Sequence, residues 1–278
     1  MEQKISGGMK GFFERLGLPE EPLGLFYSDQ KPEKGFSPKP GKLPTAEMEK
    51  RGEVDWGSIF GSFSCVMGNI WRARRMGRAA YFDQERFGCI GGAFYLGFLK
   101  PQLDFIAYYI SSGIPNQLQG EHYLESAEVS RKFFNEVDPR PAPFRYCILK
   151  PLSQFTPVET PELVIFFARG EVLCGLNQLA AFVTNDFEAV FSPFGAGCTN
   201  LVSWPLKFLA EGKLKAILGG WDPSDRKFMK TDELSFTVPW EMFRRMVTRW
   251  PESFLTTSTW DTVRKKIERS RRTWGEKD

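Results

Sequence analysis

A chain of 278 residues, 42% hydrophobic and 26% charged, is long enough to bury one large core or two modest ones. Its net charge of only +3 removes the global electrostatic case for nucleic-acid binding, and no apolar run reaches the roughly 18–20 residues of a bilayer-spanning helix. The first six residues lack the positive-then-apolar pattern of a secretory leader, and five scattered cysteines do not suit a secreted disulfide framework, so a reducing cytoplasm is the expected compartment.

The 26 phenylalanines and 8 tryptophans imply an aromatic core or an aromatic-lined pocket. In chain order, residues 9–17 form a short amphipathic helix stopped by Gly17, and Leu23–Tyr27 a strand. Residues 31–55, rich in Pro, Lys, Gly and Glu, lack periodicity and read as an exposed loop. Apolar positions 63, 66, 67, 70 and 71 have helical spacing, with Cys65 on the opposite, small-residue side. Arg72, Arg74, Arg75 and Arg78 then make either a solvated helix end or an anion site.

Ala79–Phe82 is a strand, and a second apolar element runs to Leu99 and closes at Pro101. Ser126 is placed to cap a helix reaching Val137, and Asp138–Pro143 is a rigid, extended linker. Beyond it, residues 144–149 and 163–168 are buried strands, the latter a continuous apolar run expected for a strand covered on both faces. Residues 175–184 are helical and 188–191 a strand; a helix then starts at Pro205. Strands at 215–218 and 234–238 follow, then a helix opened by Pro239 and a basic terminal helix capped by Ser258 or Thr259.

Two stretches in this order are alike. Phe87-Gly88-Cys89-Ile90-Gly91-Gly92 and Phe194-Gly195-Ala196-Gly197-Cys198 each follow a strand and precede an apolar run. Asn69 lies 20 residues before Cys89, and Asn177 lies 21 before Cys198. The pattern reads as a degenerate internal duplication: helix, strand, glycine turn, cysteine. The expected fold is mixed α/β, one domain over 1–278 in which residues 1–138 and 144–278 form two related halves, with the glycine–cysteine turns at the seam.

The C-terminal half resembles the uncharacterised ArCR family, domain of unknown function 169. The residues that carry the resemblance are Phe194-Gly195-Ala196-Gly197-Cys198, Gly219-Gly220, Asp222-Pro223-Ser224 with Arg226, Leu234–Pro239, Glu252–Leu255 and Trp260. The N-terminal half fits through Glu21-Pro22-Leu23-Gly24, Cys65, Gly88-Cys89 with Gly91-Gly92, and Gly120-Glu121. In many relatives the position of Asp225 holds a small residue. The resemblance covers most of the chain, implies an origin in an anaerobe and implies no established activity.

The chemistry these residues permit falls into three readings. Cys65, Cys89 and Cys198 supply three thiolates for an iron–sulfur cluster or metal, with Cys147, Cys174, Glu121 or an exogenous ligand in fourth place. Their spacings of 24 and 109 residues match no local ferredoxin or zinc motif. The leading expectation is therefore a cofactor-binding or redox-accessory protein. The second reading is a small-molecule enzyme with a cysteine thiolate, in which Arg226 anchors an anionic ligand, Asp222 orients it, and the Gly91-Gly92 and Gly195–Gly197 turns present N–H groups to it. Structurally, an Asp222–Arg226 pair would instead fasten its own loop. The third is a ligand sensor whose cysteines only pack. Glu121 and His122, the sole histidine, offer an acid–base pair, and one histidine excludes a zinc site built on several.

Overall fold

The computed structural model describes residues 2–99 and 104–275, with the side chains of residues 2–7 left aside. Its centre is one seven-stranded sheet. The strands are β1 (Leu23–Ser28), β2 (Ala80–Phe82), β3 (Tyr146–Pro151), β4 (Leu163–Arg169), β5 (Val190–Phe191), β6 (Ala216–Gly219) and β7 (Glu233–Pro239). Across the sheet they run β2-β3-β1-β4-β7-β6-β5. Every ladder is antiparallel except β5–β6, which is parallel. The mixed α/β expectation holds.

Because side chains alternate along a strand, each central strand supplies two cores. Leu163, Ile165 and Phe167 of β4 join one cluster with the helices Val66–Met76, Ile90–Tyr95 and Ala127–Val137. Val164, Phe166 and Ala168 join the other, with the helices Glu2–Leu16, Gly170–Thr184, Trp240–Arg249 and Ser258–Trp274. Residues 163–168 are all buried, as their unbroken apolar run requires. β1 lies between β3 and β4, so a strand from before the 138–143 segment is paired on both edges by strands from after it. β2 and β5, the strands that lead into the two glycine–cysteine turns, occupy opposite edges of the sheet.

Local chemistry explains most boundaries. The Ser126 hydroxyl accepts from the Val129 N–H and starts the helix Ala127–Val137; Asp138 ends it with a φ of 36°. Pro239 opens Trp240–Arg249, where its missing N–H costs nothing. Thr257, rather than Ser258 or Thr259, caps the terminal helix, because its hydroxyl reaches the Trp260 N–H.

Three expectations shift. The 31–55 loop contains the short helix Ala46–Arg51, capped by Thr45 and closed at Gly52. The helix expected to begin near Phe63 begins at Val66, which moves Cys65 from a helix face to its N-cap. The helix expected to start at Pro205 begins earlier, as a π-helical turn Thr199–Ser203 that runs into Trp204–Ala210. The widened turn accommodates a proline that has no N–H to give to the preceding turn. Pro101 lies outside the described residues.

Candidate functional site

Each of the three family-like cysteines stands where a helical segment begins: Cys65 before Val66–Met76, Cys89 before Ile90–Tyr95, and Cys198 before the π-turn. The first two segments are stitched together by the backbone, since Ser64 N–H donates to the Gly88 carbonyl at 2.8 Å. The neighbouring Cys89, followed by burial, pushes the Cys65 thiol well above the ordinary range. Cys89 Sγ also accepts from the Gly92 N–H at 3.4 Å. Cys198 is buried, and burial raises its thiol, with Asp225, Cys65 and Asp222 adding negative charge nearby.

Asp225 joins these pieces. Its Oδ2 accepts from Gly197 N–H at 2.7 Å, and its Oδ1 faces the Cys65 thiol at 3.7 Å. It is 3% exposed, and burial, then the nearby Asp222 and Cys65, push its carboxyl up to about 8. The expected anion-binding N–H groups are therefore engaged inside the chain: Gly197 binds the carboxylate of Asp225, and Gly92 binds Cys89. Glycine is needed at 197 because a Cβ would sit 2.2 Å from Asp225 Oδ2 and 2.8 Å from Met67. At Gly92 a Cβ would lie 2.4 Å from Val66 and 2.6 Å from the Phe87 carbonyl oxygen. Gly88 has a φ of 87°, which fits its turn.

Beside this cluster opens a cleft of about 370 Å³. Its walls include Tyr95, Tyr123, Phe133, Phe194 and Trp221, and its polar groups include Glu121 and Asp222. No Lys, Arg or His is among the described residues that line it. Gly195, with a φ of 153°, carries the chain along one wall. Trp221 is held by an Nε1–H bond to Ser192 Oγ at 2.8 Å, and Trp204 Nε1–H donates to the Phe194 carbonyl at 3.1 Å. Glu121 accepts from the Tyr109 hydroxyl at 3.1 Å; burial raises its pKa, and Asp222 adds to the rise. Tyr95 is buried, and burial pushes its hydroxyl well above the ordinary range.

Other candidates have structural partners. Arg226 and Asp222 do not pair with each other. Arg226 donates to the carbonyls of Gly220, Glu233, Lys230 and Thr231, at 2.7–3.2 Å, and so ties its loop together. Asp222 Oδ1 accepts from Ser224 N–H at 2.9 Å and caps the following turn. A guanidinium spent on four carbonyls has little left for an anionic ligand. In the arginine cluster, Arg74 binds Glu233 and Glu20 and lies over Phe167, while Arg72 and Arg75 lie over Phe36 and Trp71. His122 is exposed, with a φ of 54°, and borders a shallow depression formed by the 112–120 loop rather than the cleft. Cys147 is buried in β3, and Cys174 is exposed.

The iron–sulfur expectation finds no support in this arrangement. The three cysteines share one neighbourhood, but Cys65 is turned to Asp225 and Cys89, and a buried carboxyl occupies the space beside it. Among the described residues no three His, Cys, Asp or Glu side chains are grouped so as to hold a metal ion. The residues that sequence reasoning passed over are Asp225, noted there only as a charge where relatives hold a small residue, and the aromatic walls Tyr95, Tyr123, Phe133 and Trp221. The abundance of Phe and Trp was the one signal for the latter, and it gave no positions.

Among the described residues no helix is long and apolar enough to cross a membrane. No curated protein and no solved structure matches the chain. The match to a known family spans residues 12–249, which takes in all seven strands, the three cysteine turns and the cleft, and leaves the terminal helix outside. The chain belongs to the uncharacterised ArCR family, domain of unknown function 169.

Proposed function

We propose that this protein binds a small organic cation, a protonated amine or quaternary ammonium, in the cleft between Glu121, Asp222 and Trp221. The observation that carries the reading is the lining: two carboxyl groups, five aromatic side chains and no basic residue among those described. Aromatic faces attract ammonium groups through the negative face of the ring, and the attraction is strongest where water is excluded. The volume of about 370 Å³ falls within the size range of small-molecule sites. Burial raises the Glu121 carboxyl and the nearby Asp222 adds to the rise, so a cation between the two is favoured on both counts. Ligand charge is thus opposite to the anion that Arg226 suggested in the sequence.

Titration with tetramethylammonium and phenethylammonium, followed by tryptophan fluorescence, tests this reading, with phosphate and acetate as anionic comparisons. Saturable binding of a cation is expected, with a signal lost in Trp221→Phe. Glu121→Gln or Asp222→Asn weakens it about tenfold, equivalent to about 1.4 kcal/mol. Because Glu121 must be ionised to attract a cation, affinity increases as pH rises through its elevated pKa. Binding of phosphate in preference to either cation would refute the assignment.

A further inference from the structure

We propose that Cys65 and Cys89 form a reversible dithiol–disulfide pair that exchanges with low-molecular-weight disulfides. The case rests on placement. Both thiols are half-buried, whereas Cys198 and Cys147 are buried. The Ser64–Gly88 backbone bond, 2.8 Å, holds the two segments side by side and makes Cys65 and Cys89, the next residue on each, neighbours. Gly88 and Gly92 let the turns approach this closely, since a Cβ at Gly88 would lie 2.7 Å from the Ser64 carbonyl oxygen. Two cysteines on backbone segments bonded this closely can approach each other as a disulfide requires.

The hydrogen-bond pattern assigns roles. Cys89 Sγ accepts from Gly92 N–H, whereas the Cys65 thiol faces Asp225, which suits Cys89 to be the attacking sulfur. Cys89 loses its proton to water and, as thiolate, attacks one sulfur of a disulfide RSSR; the S–S bond breaks, a Cys89–S–S–R bond forms, and RS⁻ leaves and takes a proton back from water. Asp225, in the fraction of molecules where it is ionised, takes the proton of the Cys65 thiol that faces it at 3.7 Å, and Cys65 attacks the Cys89 sulfur. The second RS⁻ departs and takes the proton from Asp225. Two protein thiols are oxidised to one disulfide, and RSSR is reduced to two RSH. The site differs from the cation cleft, so either assignment can fail without the other.

The full-length protein would be incubated with excess glutathione disulfide, unfolded in an alkylating reagent and mapped by mass spectrometry without reduction. A peptide joining Cys65 to Cys89 is expected in most chains, with Cys147 and Cys198 alkylated; Cys174→Ser removes links between molecules through the exposed Cys174. Cys65→Ser is expected to leave glutathione trapped on Cys89. Cys65 and Cys89 recovered separately alkylated from the folded wild-type protein overturn the proposal, as does a link from either one to Cys198. The wild-type map is decisive even where a serine variant fails to fold.

Discussion

Glu233 and Asp225 are the two most deeply buried acidic side chains among the described residues, and their surroundings are opposite. Glu233, 1% exposed, meets Arg74 at 2.8 Å, and Arg74 in turn meets Glu20, which Lys230 holds from the other side. Burial by itself would lower the Arg74 pKa, but the bonds to Glu233 and Glu20 outweigh it and raise it. Asp225, 3% exposed, has only a backbone N–H and a thiol for partners, with Asp222 nearby. A buried charge that is paired this fully belongs to the scaffold; one left short of a cation marks a place where stability has been given up. The same polarity continues into the cleft, where Glu121 and Asp222 also lack basic neighbours among the described lining residues.

The contrast can be broken most severely at the paired site. Arg74→Met leaves Glu233 buried without its guanidinium and removes the stacking on Phe167, at a cost of about 3–5 kcal/mol by urea denaturation. Adding Glu233→Leu recovers part of that loss. The unpaired site behaves the other way. Asp225 titrates near its ordinary 3.8 when unfolded and about 8 when folded, so the stability it contributes is complete below the lower value and is lost as pH rises through the higher one. Thermal melts should therefore show the wild type losing stability from about pH 4 to pH 9, while Asp225→Asn, which still accepts from Gly197, gives a flatter profile. Finer resolution comes from the glycines. Gly197→Ala drives a methyl into Asp225 and is expected to cost about 1–3 kcal/mol, whereas Gly91→Ala meets Tyr95 at an ordinary 3.5 Å and should change stability by less than about 1 kcal/mol.

What the sequence made legible is what neighbours in the chain decide. The Ser126 cap, the Pro239 helix entry and the doubly buried run 163–168 rest on local hydrogen bonding or on continuous hydrophobicity, and each appears where it was expected. The placement of Cys89 at a helical start after a strand was likewise visible in the repeated pattern, whereas the helical turn at Cys198 was expected only from Pro205 onward. Partner choice was not. Arg226 and Asp222 are close in sequence and look like a pair, yet the guanidinium finds four carbonyls and the carboxylate finds the nearer Ser224 N–H. The importance of Asp225 depends on Cys65 and Gly197, which come from distant parts of the chain. An aromatic wall assembled from Tyr95, Phe133, Phe194 and Trp221 is a product of tertiary structure alone.

The position of β1 also governs how the molecule is made. β1 leaves the ribosome before either partner strand, with hydrogen-bonding edges on both sides that are not closed until much later: Leu23 waits first for Pro151 and then for Ile165. Between the synthesis of Ser28 and that of Tyr146 the nascent chain therefore presents an apolar, two-edged template of the kind that pairs with other chains. Closure of two such long-range ladders makes folding slow by the usual dependence on contact separation. Truncation before Tyr146 removes both partner strands, so fragments from the first half should accumulate as aggregates or chaperone-bound species, whatever the quality of their helices.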